Sequence, residues 1–423
     1  MTDPEPGPVS GGSLVPPHGG VLVDLLLPEA TAVEGGAGPG MPSLVLSAAQ
    51  TCDLELLATG AFSPLAGFLG AKDHASVCAS MRLASGLLWP VPVVLEIPTA
   101  LAARLRPGSS LRLLDKDGTL LAVQHVEEKW RRDRRAEARA VFGTTERAHP
   151  GVAALLRGPD GCCVAGPLEV LRLPAHSDFR RWRLTPVQLR RQLQARGGGP
   201  TVAFQTRNPM HRAHLELTVR ASRDAQAHIL LHPVVGVTKP GDVDYRIRVR
   251  CYEALLPCYP PGAATLSLLP LAMRMAGPRE AVWHAIVRKN FGASHLIVGR
   301  DHAGPGLDPA GLPFYPPYAA QDLVRRHEVE LGITMMSYPE LVYVAELDRY
   351  VTAEEVPPGG RGIAISGTEQ RRRLASGEEL PPWFTPAPVA AQLRAAFPPA
   401  KQPAAAAGRH ERPVRARSPQ AAT

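Results

Sequence analysis

No run of eighteen apolar residues occurs anywhere in this chain, which excludes a membrane-spanning helix, since one needs about 20. No Cys-x-x-Cys occurs either. The six cysteines, Cys52, Cys78, Cys162, Cys163, Cys251 and Cys258, lack zinc-ligand spacing, so reduced thiols in a cytoplasmic protein are expected. Residues 1–40 contain no Lys or Arg, and the most apolar stretch there, 21–27, is interrupted by Asp24. Without a basic leader of that kind, no signal peptide is read.

What is present is an ordinary globular mixture. Hydrophobic residues at 45% and charged residues at 20% support a sizeable core, and 423 residues call for two or three domains. The 44 prolines and 39 glycines argue for long loops and flexible ends. The formal charge of +8 is unevenly spread: five acids lie in residues 1–40, whereas Lys401, Arg409, Arg412, Arg415 and Arg417 face Glu411 alone in 401–423. The moderately basic body between them suits an enzyme that collects polyanions. No nucleic acid and no membrane partner is inferred.

Along the chain, residues 1–40 and those from about 400 onward are rich in Gly, Pro and Ala and are expected to be flexible. Between about 45 and 175, extended runs at 91–97, 111–114 and 119–126 precede a charged helix at 127–142, which reads as a β-rich domain. From about 180 strands and helices alternate: strands at 201–206, 227–231, 264–269 and 295–298, helices at 211–225, 244–256 and 279–291. That rhythm predicts a parallel α/β sheet, whose ligands bind off the carboxyl ends of its strands.

Two motifs fall at such ends. The first is Gln205-Thr206-Arg207-Asn208-Pro209-Met210-His211-Arg212-Ala213-His214, a strand-to-helix turn. Pro209 suits a first helical turn, the unpaired N–H groups there suit a phosphate or sulfate, and Leu215, Val219 and Ser222 share a face of the helix that follows. His211 and His214, three apart, share one face. A His pair is also how a metal site begins, but Glu216 lies on the wrong face to complete it, so no protein-bound metal is expected. The second motif, Gly299-Arg300-Asp301-His302-Ala303-Gly304-Pro305-Gly306, offers unscreened backbone and a planar guanidinium fork for phosphate oxygens. A third cluster, Ser366-Gly367-Thr368 ahead of Arg371, Arg372 and Arg373, could cap a phosphate, although a solvated basic helix face is the commoner meaning.

These residues resemble the ATP sulfurylase family. The match rests on QTRNPMHRAH, on the run from Met275 to Gly306, on ISGTEQRRRL from Ile365 to Leu374, and upstream on GAFSPLAGFLG from Gly60 and FGTTERAHPGV from Phe142. It covers about residues 45–390. The resemblance implies an α/β architecture in which a Rossmann-like nucleotidylyltransferase catalytic domain at 179–338 is preceded by a β-rich PUA-like domain at 41–178. A small C-terminal α/β subdomain at 339–398 would follow, between a disordered extension at 1–40 and a disordered basic tail at 399–423. It also implies a reaction, ATP plus sulfate giving adenosine 5′-phosphosulfate plus diphosphate, with Mg²⁺ carried as MgATP.

By motif position, the resemblance assigns sulfate to Gln205, Arg207 and Ala303. ATP falls to Gln205, Thr206, Arg207, Asn208, Gly299, Arg300, Asp301, His302 and Val342. Thr206, Arg207 and Asn208 form the active-site turn, and His211 and His214 stabilise the transition state. The chemistry agrees, because sulfate is already deprotonated at neutral pH and needs no general base. Positioning and charge neutralisation must then carry the rate, and a nearby anion would raise the charged fraction of either imidazole.

No Gly-x-x-x-x-Gly-Lys-Ser/Thr occurs, so an attached adenylylsulfate kinase is not expected. A symmetric homo-oligomer is common for enzymes of this size. Two rivals remain: a related nucleotidylyltransferase with another acceptor, which would not need the 205–208 turn, and an RNA-binding protein with a decayed site, which should have lost some of these residues.

Overall fold

The computed structural model describes residues 12–28, 40–158, 161–365 and 367–397. All of the expected tail and part of the expected extension lie outside these. Residues 12–28 correct the expectation of a flexible lead-in. His18 is buried, its backbone N–H donates to the Asn290 side chain at 2.8 Å, and its Nε2 lies 2.7 Å from the Leu88 carbonyl. Gly12 meanwhile donates to the Gly197 carbonyl at 3.1 Å. This lead-in thus touches both major parts of the chain.

The N-terminal part holds a four-stranded sheet ordered Ser43–Val45, Ser110–Leu114, Leu120–His125, Leu168–Val170, and a three-stranded sheet ordered Leu95–Ile97, Cys162–Ala165, Glu128–Trp130. Short alternating runs such as Ser110–Leu114, in which Leu111 and Leu113 are buried, make these strands. Two differences from the sequence reading stand out. The expected strand at 91–97 shrinks to its last three residues, and the expected helix at 127–142 splits into the strand Glu128–Trp130 and the helix Arg134–Phe142, begun by Asp133 accepting from the Arg135 and Ala136 N–H groups. Helices Ala48–Ala58 and Ala71–Ser80 also belong to this part.

The second part is a five-stranded parallel sheet ordered Ala264–Leu266, His228–Leu231, Thr201–Phe204, His295–Ile297, Thr334–Met336. In chain order that is three, two, one, four, five. The order reverses between Thr201–Phe204 and His295–Ile297, which pair directly, Ile297 opposite Phe204. At such a reversal the loops leave in opposite directions and open a crevice at the carboxyl ends. Helices Arg212–Ala225, Tyr245–Leu255, Gly277–Asn290 and Ala319–Leu331 link and cover the strands. The third part is a three-stranded antiparallel sheet of Arg349–Thr352, Leu341–Val344 and Gly362–Ile363, with helices Gly367–Ser376 and Ala387–Ala396.

The apolar core does not stop at the boundary between the first two parts. Phe62 and Trp89 of the first pack on Trp283 of the second, with ring centroids 4.9 and 6.5 Å away, and all three are fully buried. Aromatic side chains bury about 150–250 Å² each, so this trio is a large share of what welds the two parts together. No helix among the described residues is long and apolar enough to cross a membrane.

Candidate active site

Both motifs leave the sheet at its switch point. Residues 205–211 follow Thr201–Phe204, and residues 298–306 follow its neighbour His295–Ile297. Their backbones are anchored before any side chain is considered. Val234 N–H donates to the Thr206 carbonyl at 3.0 Å, Tyr252 OH donates to the Asn208 carbonyl at 2.7 Å, and Asn208 N–H donates to the Thr206 hydroxyl at 3.1 Å. In the second loop, Asp301 and Ala303 hold φ of 51° and 55°, and a Cβ at Gly304 would collide with the Asp301 carboxylate. A side chain there would have to displace that carboxylate, and left-handed backbone at Ala303 costs roughly 1 kcal/mol that the surrounding bonds must offset. One such bond is Gly277 N–H to the Ala303 carbonyl at 3.2 Å.

The loops meet through Arg207. Its Nη1 lies 2.5 Å from Asp242 Oδ1, and its Nη2 points at the Gly304 carbonyl at 3.5 Å. Beside it, Lys239 Nζ donates to the next carbonyl, Pro305, at 3.1 Å. Gln205 lies within reach of Met273, its Nε2 3.9 Å from Sδ. Burial pushes the Asp301 carboxyl up, against the pull of Arg207, Lys239 and Arg300.

The helix Arg212–Ala225 starts one residue later than expected, and Pro209 stands outside it. His211 is its N-cap, and its backbone N–H donates to His214 Nδ1 at 3.1 Å. That bond fixes the tautomer: Nδ1 of His214 accepts, so Nε2 carries the proton and donates. His211 Nδ1 lies 2.9 Å from Thr385 Oγ1, and its ring stacks on Phe384 with centroids 4.5 Å apart and planes 19° from parallel. Burial pushes His211 down to about 3, with His214 adding to the effect and a hydrogen bond with Gln370 opposing it. Burial alone takes His214 to about 4. Both rings are therefore neutral at physiological pH. Of the helix's first N–H groups, Arg212 N–H is taken by the Phe384 carbonyl at 3.0 Å and His214 N–H by the His211 carbonyl at 3.0 Å, while Ala213 between them lines the cleft. Leu215, Val219 and Ser222 are only half-buried, and the deeply buried residues of this helix are Thr218 and Ala221.

Arg207, Asn208, His211, His214, Lys239, Asp242, Gly299 and Arg300 line one cleft of roughly 1530 Å³, whereas Gln205, Thr206, Asp301 and Ala303 lie behind its wall; the volume is ample for a nucleotide and a small anion. Arg300 is exposed, 3.9 Å from Glu340. His302 points away from it: the ring is buried, with Nε2 3.0 Å from His284 Nδ1, so only its backbone is left for a ligand. Val342 lies in the third part with its side chain against Gly362, while Glu340 and Leu341 beside it line the cleft. Ser366 of the third cluster lies outside the described residues. Arg372 there pairs with Glu369 at 2.8 Å and Glu378 at 2.5 Å, which is the solvated-face meaning, although Gln370 and Leu374 of the same helix do line the cleft.

Sequence reasoning missed Lys239, Asp242, Thr385 and Phe384. The first two had a signal, since their loop follows the carboxyl end of His228–Leu231 in the same sheet. Thr385 had none, being 174 residues from the ring it touches.

Against known proteins, a family model described as ATP-sulfurylase matches residues 180–396, and one for a PUA-like domain matches 15–173. The sulfate adenylyltransferase of Schizosaccharomyces pombe is 50% identical over 361 residues, 85% of this chain and 74% of that one. That of Mycosarcoma maydis is 48% identical over 392 residues, 91% of this chain and 68% of that one. Among solved structures, the hexameric APS kinase from Thiobacillus denitrificans matches with a TM-score of 0.74 at 32% identity, over 91% of this chain and 69% of its own. Motif order, a PUA-like domain ahead of a parallel sheet, and identity across most of the chain agree: this protein belongs to the ATP-sulfurylase family.

Proposed function

We propose that the cleft catalyses attack of sulfate on the α-phosphorus of MgATP, giving adenosine 5′-phosphosulfate and diphosphate. The observation that carries this reading is the meeting of the two loops at the sheet's switch point, where Arg207 reaches from the first turn to the Gly304 carbonyl of the second. An anion held by Arg207, Gln205 and the backbone of Ala303 would stand beside the Gly299-to-His302 loop that borders the triphosphate. The 205–208 turn would hold both reactants close enough for in-line displacement, replacing their mutual repulsion with hydrogen bonds to fixed cations. As the bond to the leaving diphosphate stretches, charge builds on phosphoryl oxygens. The neutral His211 and His214 rings would donate N–H groups to that charge, with no proton transfer to sulfate required.

Magnesium arrives with the triphosphate as part of the substrate. Among the described residues no group of three or more His, Cys, Asp or Glu side chains gathers as a metal cage. Direct attack without a covalent enzyme intermediate predicts one inversion at the α-phosphorus. Turnover of an ATP analogue chiral at that atom, with the configuration of the phosphosulfate product read by phosphorus NMR, tests this. Inverted product supports direct attack, and retained configuration would replace it with a two-step route.

A further inference from the structure

Arg207 and Lys239 are anchored to consecutive carbonyls of one loop, Gly304 at 3.5 Å and Pro305 at 3.1 Å. Two cationic heads placed this way are neighbours, and Arg207 disfavours the charge on Lys239. Accordingly the Lys239 ammonium is pushed below the ordinary lysine range, by burial first and by Arg207 second, with Asp242 and Asp301 opposing. Both cations line the cleft. Like charges are seldom brought together in a partly buried site unless a partner of opposite charge joins them.

We infer that Lys239 is the second cation of the oxyanion subsite and contacts the incoming sulfate beside Arg207. The inference rests on the sulfate-activating reading above. Its physical basis is a count of charge. Arg207 is paired with Asp242, whose carboxylate is almost wholly buried, and Asp301 sits close enough to feel both cations. With Lys239 the four groups are neutral before substrate enters, and Arg300, which also acts on Asp301, is offset by Glu340 3.9 Å away. Without Lys239 the other three carry one net negative charge, and a dianion would be repelled from the place Arg207 is meant to hold it. An ammonium has three N–H donors, and the Pro305 carbonyl uses one. The others are available to an oxyanion that lies against Arg207. Gly306, next to Pro305, holds φ 105°, a left-handed backbone that suits glycine.

The test uses the full chain and the variants Lys239→Met and Lys239→Arg, with diphosphate release followed against sulfate at saturating MgATP. For Lys239→Met the sulfate KM should rise about tenfold or more, as for loss of a hydrogen bond to a charged group, while the KM for ATP stays within about twofold. Lys239→Arg should recover most of the loss. A merely structural lysine would not produce a second signature. As pH rises, the unsubstituted chain should lose sulfate affinity earlier than an ordinary lysine would allow. The Lys239→Arg variant should not, since its guanidinium stays charged while the facing Arg207, Asp242 and Asp301 are the same in both.

A third measurement needs no variant. Sulfate should slow acylation of Lys239 by an amine-reactive ester, read by peptide mass. An unchanged sulfate KM in Lys239→Met, or acylation indifferent to sulfate, overturns the inference while leaving the sulfurylase reading intact, provided the unsubstituted chain depends on sulfate. If that chain shows no sulfate dependence, both fall together.

Discussion

At the scale of single residues, the site works by fixing which atoms can donate. The His211 backbone N–H that occupies His214 Nδ1 leaves Nε2–H of that ring to donate, and the Thr385 hydroxyl holds His211 at Nδ1, neither needing a charged imidazole. Replacing Arg207 with Ala should abolish sulfate-dependent turnover. His211→Ala should lower kcat by about 10²-fold, the scale of a lost transition-state donor. Near-normal rates in both would contradict these roles.

The pH behaviour has a definite sign. Since burial takes the two rings to about 3 and about 4, they are neutral throughout pH 6.5–8 and kcat should be level there. A tenfold fall per pH unit above 6.5 would mean that imidazolium is required. Stability runs the other way: above about 6.5 both folded and unfolded rings are neutral. As pH falls below that value the unfolded chain takes up protons first, and stability is lost down to the folded values. Urea midpoints measured from pH 7 to pH 4.5 should therefore decline. At this scale the sequence was most legible where type and spacing both speak, as in Arg207 and the His pair. It was least legible at Lys239 and Asp242, whose partners become neighbours only through the sheet.

At the scale of elements, the alternation of apolar runs and breakers predicted the first four parallel strands and the three helices between them within a few residues. The reversal of strand order lay beyond any local pattern, because it depends on which strand pairs with which. The helix Gly277–Asn290 shows another limit. Twelve of its 14 residues are buried, so its polar positions face the interior and not solvent. Its buried Glu280, His284 and Arg288 form a stripe at four-residue spacing under the second loop. His284 there meets His302 at 3.0 Å, and Glu280 accepts from Arg274 and Ala276 N–H groups at 2.9 and 2.8 Å.

The segment 381–385 of the third part is the other unforeseen contributor, capping the His helix through the Phe384 carbonyl and holding the His211 ring through Thr385. Thr385→Val keeps the shape and removes the hydroxyl. It should lower kcat by about tenfold, as expected when a buried ring nitrogen loses its orienting partner, with little change in either KM. A kcat within twofold of the unsubstituted value would show that stacking on Phe384 suffices.

At the scale of the whole molecule, the PUA-like part is joined to the catalytic sheet by more than a linker. Asp53, on helix Ala48–Ala58, lies 2.6 Å from Arg274, which also donates to the Ala272 carbonyl at 2.7 Å and lies over Trp283. Since 271–277 also touches the second loop through Gly277 and Ala303, the first part helps to set the geometry of the cleft. Asp53→Ala would leave the Arg274 cation largely buried and unpaired, at a cost of about 3 kcal/mol, read as a shift in urea midpoint. A change below about 0.5 kcal/mol would mean that the cation simply turns to water. Length implied two or three domains, and the resemblance put a PUA-like domain ahead of the catalytic one, the order in which the family models match. They did not predict one core crossing the first boundary, because apolar content says how much can be buried and not against what.

The central claim is that this cleft brings sulfate to MgATP, and diphosphate release from MgATP with and without sulfate tests it most directly. The account predicts release that rises with sulfate to saturation and is lost in Arg207→Ala. A folded, ATP-binding protein whose release is the same with and without sulfate would contradict it.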